Sequence, residues 1–258
     1  MKKYLKDFEV RDNRQFANGT SVVKLFPVDG QLPEMLPGQF VNILVSNCDG
    51  VFLRRPISIY YADYSEKSLS LYIKRVGKGS NALCESAPGD RWNILLPLGN
   101  GFDLEEAVKY KHPLLVGGGV GMAPMLYLGA RLKEKGVTPS FLLGGANDMD
   151  FPIAEQFEKV GKTFYTTVDG SRGVKGFVTD HEVMGEGEAD VIFCCGPTPM
   201  MKALATLSRE RGVECFVSLE NTMACGLGAC LCCVEDTREG NRCVCTDGPV
   251  FNVNELKW

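Results

Sequence analysis

The sequence predicts an α+β chain of several domains: an antiparallel β-barrel, a doubly wound parallel α/β sheet and a small cysteine-rich module. We expect these parts to span residues 1–101, 102–217 and 218–258. Short runs of β-branched and aromatic residues fill the first hundred positions, strand–helix alternation follows, and six of the 11 cysteines lie between Cys225 and Cys245. The first pattern is typical of barrels or sandwiches, and the second of doubly wound sheets.

The composition indicates a soluble globular chain. Its 258 residues are 45% hydrophobic and 23% charged, with a formal net charge of −4. This negative balance, without a basic stripe, argues against nucleic-acid binding. No apolar run follows the N-terminal lysines or is long enough to span a bilayer, so we expect a cytoplasmic location and no membrane association. His112 and His181 are isolated from the cysteines, and we expect surface or capping roles for them.

The first part reads as short strands punctuated by turn residues. Pairs such as Pro-Gly and Asp-Gly separate the apolar runs. A short helix is predicted over Ser80–Ser86. The predicted strands are Tyr4–Arg11, Thr20–Pro27, Phe40–Val45, Arg55–Tyr61, Ser68–Arg75 and Arg91–Leu96.

Two stretches of this part suit a flavin nucleotide. Residues 54–58 read RRPIS, where an arginine can neutralise a pyrophosphate and a serine can hydrogen-bond the flavin ring. Residues 77–80 read GKGS and open the short helix, whose backbone N–H groups can bind phosphate. Each stretch has an ordinary structural reading, as an edge-strand start and as a turn. Together, in a strand-rich domain, they favour flavin binding.

The second part alternates strands and helices. Such alternation predicts a parallel sheet whose ligands bind at the carboxyl ends of the strands. Helices are expected over Ala123–Lys135 and Phe151–Lys159 and in a segment ending near Arg211. The predicted strands are His112–Val116, Ser140–Leu143, Phe164–Val168, Val191–Cys194 and Glu214–Leu219.

Two turns in this sheet are suited to bind a dinucleotide. Residues 117–124, GGGVGMAP, follow a strand and open a helix, and their glycines let a pyrophosphate approach the backbone. The Cys-Gly-Pro turn at 195–197 follows a later strand of the same sheet. Cys195 itself can also be a small buried residue with no part in binding, which is the commoner fate of a free cysteine. The loop at 144–150 holds two aspartates and no base, which favours NADH, because a 2′-phosphate needs a cation.

The cysteine-rich stretch has the spacing of a plant-type [2Fe–2S] site. Cys225, Cys230 and Cys233 form C-x4-C-x2-C, and a fourth cysteine follows at Cys243 or Cys245. Spacing does not choose between the last two. Structural zinc is a weaker alternative, because zinc knuckles occur as paired C-x2-C motifs. A disulfide framework suits small secreted domains, and nothing in the sequence indicates secretion.

R-P-x-S followed by G-x-G-S, in a barrel preceding a nucleotide domain, resembles the ferredoxin–NADP⁺ reductase superfamily. The resemblance implies that FAD contacts Arg55, Pro56, Ile57, Ser58, Tyr72, Ile73, Lys74, Gly79 and Ser80. It implies that the NAD loops contain Gly118, Gly119, Gly121, Pro124, Cys195, Gly196 and Pro197, with Cys195 near the nicotinamide.

The C-terminal motif narrows the match. E-N-x-M-A-C-G-x-G-A-C-x-x-C-V and the ending C-x-D-G-P-V-F resemble the electron-transfer subunits of class 1B dihydroorotate dehydrogenases. In that family the fourth ligand directly precedes x-D-G-P-V-F, which implies Cys245 rather than Cys243. The resemblance implies NADH, FAD and [2Fe–2S] as cofactors. It also implies a heterotetramer, two plus two, with the FMN-containing catalytic subunit that interconverts dihydroorotate and orotate in pyrimidine biosynthesis.

Two rival functions remain at this point. One is the small subunit of an NADH-dependent ferredoxin–NADP⁺ oxidoreductase or of a sulfhydrogenase, since these share all three parts. The D-G-P-V-F ending favours the pyrimidine enzyme. The other rival is a zinc-stabilised binding protein with a degenerate nucleotide domain.

Overall fold

The computed structural model describes residues 2–46, 48–185 and 187–258. Its first part contains six strands: β1 Tyr4–Gln15, β2 Thr20–Pro27, β3 Phe40–Ile43, β4 Arg55–Asp63, β5 Ser68–Lys74 and β6 Arg91–Leu98. They pair antiparallel and close in the order β1-β2-β5-β4-β3-β6. The barrel is therefore confirmed over the sandwich, because the first and last strands also pair.

The barrel core follows the two-residue period of its strands. Along β2, Val23 and Leu25 are fully buried, whereas Lys24 and Phe26 are only half-buried. β1 runs on to Gln15, beyond the predicted end at Arg11. A register shift after Val10 marks a bulge, which lets the strand bend and continue its pairing with β2.

The predicted short helix begins earlier than expected. Helix α1 spans Lys78–Cys84. The Ser80 hydroxyl accepts hydrogen bonds from the backbone N–H groups of Val76 (2.9 Å) and Gly77 (3.0 Å). Ser80 lies inside the first turn of α1, and from there its hydroxyl satisfies backbone donors that precede the helix. The helix therefore begins two residues before Ser80.

The second part contains the expected alternation. Its helices are α2 Leu104–Ala107, α3 Met122–Glu134, α4 Ala154–Val160 and α5 Thr198–Arg211. Its strands are β7 Pro113–Gly118, β8 Ser140–Gly145, β9 Lys162–Thr167, β10 Val174–Lys175, β11 Val191–Cys195 and β12 Glu214–Ser218. Neighbours among β7–β12 pair in parallel, as predicted. α4 starts after the predicted Phe151, because a residue preceding proline disfavours helix.

The C-terminal part differs from the predicted parallel sheet. It contains a hairpin of β13 (Val234–Thr237) and β14 (Gly240–Cys243), followed by β15 (Val250–Asn252). β15 pairs antiparallel with β12, which makes the sheet mixed, in the order β10-β9-β8-β7-β11-β12-β15. The chain after the cysteine-rich segment therefore adds a strand to the sheet of the second part.

One hydrophobic core joins all three parts. Phe40 and Leu98 of the barrel, Val217 of the sheet, and Cys233 and Cys245 of the C-terminal part belong to the same buried cluster. No helix among the described residues is long and apolar enough to cross a bilayer.

Candidate functional site

A cleft of about 440 Å³ lies where the barrel meets the sheet and the C-terminal part. All nine residues predicted to contact FAD line it. These are Arg55, Pro56, Ile57, Ser58, Tyr72, Ile73, Lys74, Gly79 and Ser80. They come from β4, β5 and α1, and closure of the barrel brings these elements together.

The two adjacent arginines have different roles. Arg54 donates to the backbone carbonyl of Asn93 (2.9 Å) and to its side-chain Oδ1 (2.6 Å). Burial lowers the pKa of Arg54. Arg55 lines the cleft, and within the described part of the chain it donates to the neighbouring carbonyls of Leu53 and Arg54. Arg54 therefore fastens the loop to the barrel, and Arg55 is the arginine placed to meet an anion.

The arginine stretch and the glycine stretch are in direct contact. A Cβ atom on Gly79 would lie 2.5 Å from Nε of Arg55. Glycine therefore lets the guanidinium pack against the first turn of α1. The two features predicted separately form one cationic corner of the cleft, and its chemistry fits a flavin pyrophosphate.

The far wall of the cleft was missed by sequence reasoning. It consists of Val120, Ser218, Leu219, Glu220, Asn221, Met223 and Pro249. They lie at or just after the ends of β7 and β12 and near the cysteine-rich segment. Five of them belong to motifs noted in the sequence, but those motifs did not indicate a place beside the flavin stretches. Glu220 is open to the cleft yet surrounded by protein on most sides, and the resulting desolvation raises its pKa.

A second cleft, of about 480 Å³, runs along the carboxyl ends of the parallel strands. Gly118, Gly119 and Pro197 of the predicted NAD loops line it. It meets the first cleft at the turn after β7, because Gly119 lines the second cleft and Val120 the first. The two clefts are therefore neighbours, as hydride transfer between two bound cofactors requires.

Four predicted NAD residues line neither cleft: Gly121, Pro124, Cys195 and Gly196. A Cβ on Gly121 would lie 2.4 Å from the carbonyl oxygen of Cys195, so glycine is needed there for the two loops to pack. Pro124 is buried in the first turn of α3. These residues shape the cleft from behind.

Cys195 itself is completely buried. Burial raises the pKa of its thiol well above the ordinary value, and the Ser218 hydroxyl beside it acts weakly in the opposite direction. Its partner in the sheet register is Ser218, which lines the first cleft. The structure therefore places Cys195 one layer behind the cleft wall, where the small-buried-residue reading fits.

Two residues of the second cleft region were not anticipated. Phe177 lines the cleft with 68% of its surface exposed, which suits a stacking surface for a nucleotide base. Arg172 forms ion pairs with Asp148 (3.3 Å) and Glu158 (3.1 Å). The loop at 144–150 has no base of its own, but the fold brings this cation beside it. Two carboxylates already engage that cation.

The cysteine loop arranges its sulfurs in pairs. The Cys225 thiol lies beside that of Cys230, and the Cys245 thiol lies beside that of Cys233. The backbone N–H of Leu227 donates to Sγ of Cys225 (3.3 Å), and this bond contributes most among several that lower the pKa of Cys225 to about 6. Pairs of thiolates are what a two-iron cluster needs, with two protein ligands on each iron.

Cys245 and Cys243 differ in their surroundings. Cys245 is buried, and its Sγ accepts a hydrogen bond from Gly228 N–H (3.1 Å), inside the loop that carries Cys225 and Cys230. Cys243 is half-buried at the end of β14, where its N–H donates to the Asp247 carboxylate (2.6 Å). Cys243 also lies near Cys233. Cys245 thus faces into the loop, which agrees with the order implied by the resemblance.

No three Cys, His, Asp or Glu side chains within the described ranges converge on one metal ion. Positive φ angles at Gly226 (+68°) and Gly228 (+81°) curl the loop so that its N–H groups point at sulfur. These N–H donors and paired thiols are the features that suit a cluster.

Comparison with known proteins shows the family of this chain. Residues 220–257 match the family described as the iron–sulfur cluster binding domain of dihydroorotate dehydrogenase B. The electron transfer subunit of dihydroorotate dehydrogenase B (NAD(+)) from Shouchella clausii is 41% identical over 235 residues, covering 89% of this chain and 90% of that protein. The one from Fusobacterium nucleatum is 35% identical and covers 98% of both chains.

The chain belongs to the family of dihydroorotate dehydrogenase B electron transfer subunits. It is thus an oxidoreductase subunit for electron transfer, and the predicted cofactor set of NADH, FAD and [2Fe–2S] agrees with the family and the fold. The family name also implies a catalytic partner subunit.

Solved structures confirm the predicted fold. A structure described as an NADH-dependent reduced ferredoxin-NADP oxidoreductase, studied for flavin-based electron bifurcation, has a TM-score of 0.87 and 31% identity, covering 97% of this chain and 90% of that chain. The ferredoxin reductase of carbazole 1,9a-dioxygenase has a TM-score of 0.69 and 23% identity, covering 83% and 67%. The second likeness concerns the fold alone.

Proposed function

We propose that this chain passes electrons, through FAD and a [2Fe–2S] cluster, between NADH and an FMN-containing catalytic subunit that interconverts dihydroorotate and orotate. One observation carries the proposal. Met223 lines the FAD cleft, and the first cluster ligand, Cys225, follows two residues later. Their Cα atoms therefore lie within about 7.6 Å of each other. When bound, FAD accepts a hydride and can release its electrons singly, and the cluster carries one electron.

The residues of the first cleft would hold FAD in place. Arg55 neutralises the pyrophosphate, aided by the first turn of α1 at Gly79 and Ser80. The strand segments at 55–58 and 72–74 form the wall beside the flavin ring. Ser218–Met223 close the opposite wall and exclude water from it.

The residues of the second cleft would bind NADH. Gly118 and Gly119 let the pyrophosphate approach the backbone, and Pro197 borders the same cleft. Gly121, Pro124, Cys195 and Gly196 hold these loops in position. The acidic side chains around Arg172 disfavour a 2′-phosphate, which supports the preference for NADH over NADPH.

The cluster would be held by Cys225 and Cys230 on one iron and by Cys233 and Cys245 on the other. Cys232 and Cys243 remain outside the ligand set. The functional units are residues 1–101 for FAD, 102–217 for NADH and 218–258 for the cluster. The last of these adds β15 to the sheet of the second.

The complete enzyme is proposed to be a heterotetramer of two copies of this chain and two catalytic subunits. A cytoplasmic location is part of the proposal, since a cluster needs reduced thiolates. The alternative is the small subunit of an NADH-dependent ferredoxin–NADP⁺ oxidoreductase. The TM-score of 0.87 to such a structure is the observation in its favour. The family match and the 35–41% identity to electron transfer subunits favour the dihydroorotate dehydrogenase.

Matched cysteine variants test the ligand assignment. Cys245→Ser should abolish the EPR signal that appears after dithionite reduction, and Cys243→Ser should retain it. NADH-to-dye activity should survive in both variants, because a dye takes electrons from FAD. Loss of the signal only in Cys243→Ser would reverse the assignment.

The partner decides between the two enzymes. Affinity purification of this chain from its own cells should recover an FMN protein, and the complex should reduce orotate with NADH. Recovery of a large subunit that reduces NADP⁺, without orotate activity, would favour the alternative. A colourless preparation carrying zinc would contradict both.

A further inference from the structure

Asn42 is a polar side chain in an otherwise apolar strand of the barrel. β3 reads FVNI, and all four of its residues are buried. Val41 and Ile43 belong to the core inside the barrel, whereas Phe40 belongs to the core that joins the barrel to the C-terminal part. Because side chains alternate along a strand, Asn42 lies on the same outer face as Phe40. An amide is therefore enclosed between the barrel and the C-terminal part.

The outer face of β3 is also part of the wall of the first cleft. Phe40 lines this cleft, and its partner in the strand register is Ser58, which lines it too. The partner of Asn42 in the register is Pro56, another residue of the cleft. Asn42 therefore extends, by one residue pair, the row of side chains that forms the wall.

Asn42 also contacts the cluster loop, residues 225–233. Its Nδ2 donates to the backbone carbonyl of Cys225 (3.5 Å), the first of the four proposed cluster ligands. A Cβ on Gly226 would lie 3.0 Å from the same Nδ2, so glycine lets the backbone of the loop rest directly on the amide. Asn42 thus connects the strand pair of the cleft wall with the first ligand.

The stability of the fold does not explain an amide at this position. Asn42 is fully buried, and within the described part of the chain its Oδ1 has no hydrogen-bond partner. A buried acceptor without a partner destabilises the folded state, and an apolar side chain of similar shape avoids that cost. The contact that Nδ2 makes with the cluster loop is therefore the feature that accounts for asparagine.

The other end of the cysteine-rich segment is fixed to the first part in a similar way. Asn100, which follows β6, donates through Nδ2 to the backbone carbonyls of Thr246 (2.9 Å) and Asp247 (3.2 Å). Thr246 directly follows Cys245, the last of the four proposed ligands. Two asparagines of the first part thus hold the backbone at or next to the first and the last ligand.

We propose that Asn42 is a positioning residue that fixes the distance between the flavin and the cluster. This inference rests on the proposed function, in which the reduced flavin loses one electron at a time and the oxidised cluster gains it. The rate of such a transfer falls steeply as the two groups move apart. By holding the Cys225 carbonyl against the strands of the cleft wall, Asn42 keeps the distance short.

The test follows cluster reduction in the full chain with FAD and cluster bound, after rapid anaerobic mixing with NADH. Asn42→Leu removes the donor and fills the space with an apolar side chain. The EPR signal of the reduced cluster should then appear about tenfold more slowly, because a displacement of about 1 Å can slow a reaction up to about a hundredfold. NADH-to-dye activity, which needs only FAD, should stay at the wild-type level.

Asn100→Ala should slow cluster reduction less than Asn42→Leu does. Asn100 is exposed, and its backbone N–H still donates to the carbonyl of Gly248 (2.6 Å) after the side chain is removed. The order of the two variants is therefore part of the expected result, and the same EPR measurement gives it.

Asn13→Leu is the matched control. Asn13 is another barrel asparagine whose Nδ2 donates to backbone carbonyls, those of Cys84 (3.0 Å) and Ser86 (2.7 Å), and whose Oδ1 lacks a partner among the described residues. It lines neither cleft, and its contacts lie at the end of α1. Asn13→Leu should lower the stability to urea and leave the rate of cluster reduction unchanged.

Two further readouts do not depend on activity. Hydrogen–deuterium exchange of the amides at 223–228 should be faster in Asn42→Leu than in wild type, because the loop has lost its support on the barrel. The midpoint potential of the cluster should be unchanged. A shifted potential would overturn the proposal, because Asn42 would then tune the cluster rather than position it.

A wild-type rate of cluster reduction in Asn42→Leu would overturn the proposal while leaving the proposed function standing. Asn42→Ala repeats the measurement without a larger side chain, and loss of the cluster in both variants would also overturn it, because Asn42 would then serve cluster assembly. A wild-type chain in which NADH reduces the flavin but not the cluster would reject the proposed function itself.

Discussion

The first cleft, which we propose to hold FAD (the flavin cleft), and the second, which we propose to bind NADH (the nucleotide cleft), are built from their sequence motifs in different ways. All nine predicted FAD residues line the first cleft, but only three of the seven predicted NAD residues line the second. The flavin motif consists largely of side chains with their own chemistry, such as Arg55. The NAD motif consists largely of glycines. A glycine marks a close approach to the backbone, and at Gly121 the close neighbour is the Cys195 loop.

The substitution with the largest expected effect, Gly121→Ala, disrupts the packing of the two loops behind the nucleotide cleft. Gly121→Ala would push a Cβ into the backbone of Cys195 and Gly196, and overpacking of this kind costs about 1–3 kcal/mol. We expect lower stability to urea and weaker NADH binding, with FAD retained. Gly136→Ala is the control, because Gly136 lies outside both clefts and its Cβ meets nothing within 4 Å, although its positive φ of +87° adds strain of its own. A Gly136→Ala protein that is less stable than Gly121→Ala, or that binds NADH as weakly, would contradict this account.

Substitutions of the adjacent Arg54 and Arg55 should have different effects, because only Arg55 lines the flavin cleft. Arg55→Ala should weaken FAD binding by about 1.5–3 kcal/mol, the worth of a hydrogen bond to a charged group, and leave the flavin-free protein equally stable. Arg54→Ala removes the donor to Oδ1 of Asn93, whose backbone carbonyl still accepts from Leu44 N–H (2.9 Å), and should cost about 1–3 kcal/mol of folding stability. Flavin absorbance after gel filtration and urea unfolding separate the two effects. Identical behaviour of both variants would disprove the division of roles.

A smaller effect tests whether any side chain in the nucleotide cleft contacts the ligand directly. Phe177→Ala should raise the KM for NADH in the dye assay, with a loss of about 0.5–1.5 kcal/mol for one aromatic stack. Met149→Ala serves as control, since Met149 is 64% exposed nearby but does not line the cleft. Equal KM values for Phe177→Ala and the control would rule out stacking.

The smallest expected effect is on how folding stability depends on pH. His181 is buried and caps a short helical turn, since its Nδ1 accepts a hydrogen bond from Val183 N–H (3.0 Å). The expected capping role is confirmed, and the surface role is wrong. Burial lowers the pKa of His181 from 6.5, so protonation favours the unfolded chain, and stability should fall as the pH drops below about 6.5.

His181→Asn keeps a capping acceptor but does not titrate. Its urea midpoint should therefore change less than that of wild type between about pH 7.5 and about pH 5. His112→Asn, at an exposed position, should keep the wild-type pH dependence. If both variants follow the wild-type curve, His181 does not link acid to stability.

Most helices and strands could be predicted from local sequence patterns. The two-residue period of β2 and the strand–helix alternation after residue 101 are properties of neighbouring positions, so they can be read from the chain itself. Errors occur at the ends of elements. The bulge in β1, the turn before α4 and the capping by Ser80 shift boundaries through contacts that periodicity does not record.

The amino-acid sequence by itself determined the order of the three parts, the cysteine spacing of the cluster loop and the family, because each depends on residues close together in the chain or on a motif kept whole. Only the tertiary structure decided which arginine faces the flavin cleft, that Ser218–Met223 and Pro249 close it, and that Arg172 lies beside Asp148. It also placed Cys245 inside the loop and Asn42 of the barrel against it. Packing brings distant segments together in these cases, and no local pattern specifies which distant neighbour a residue will meet.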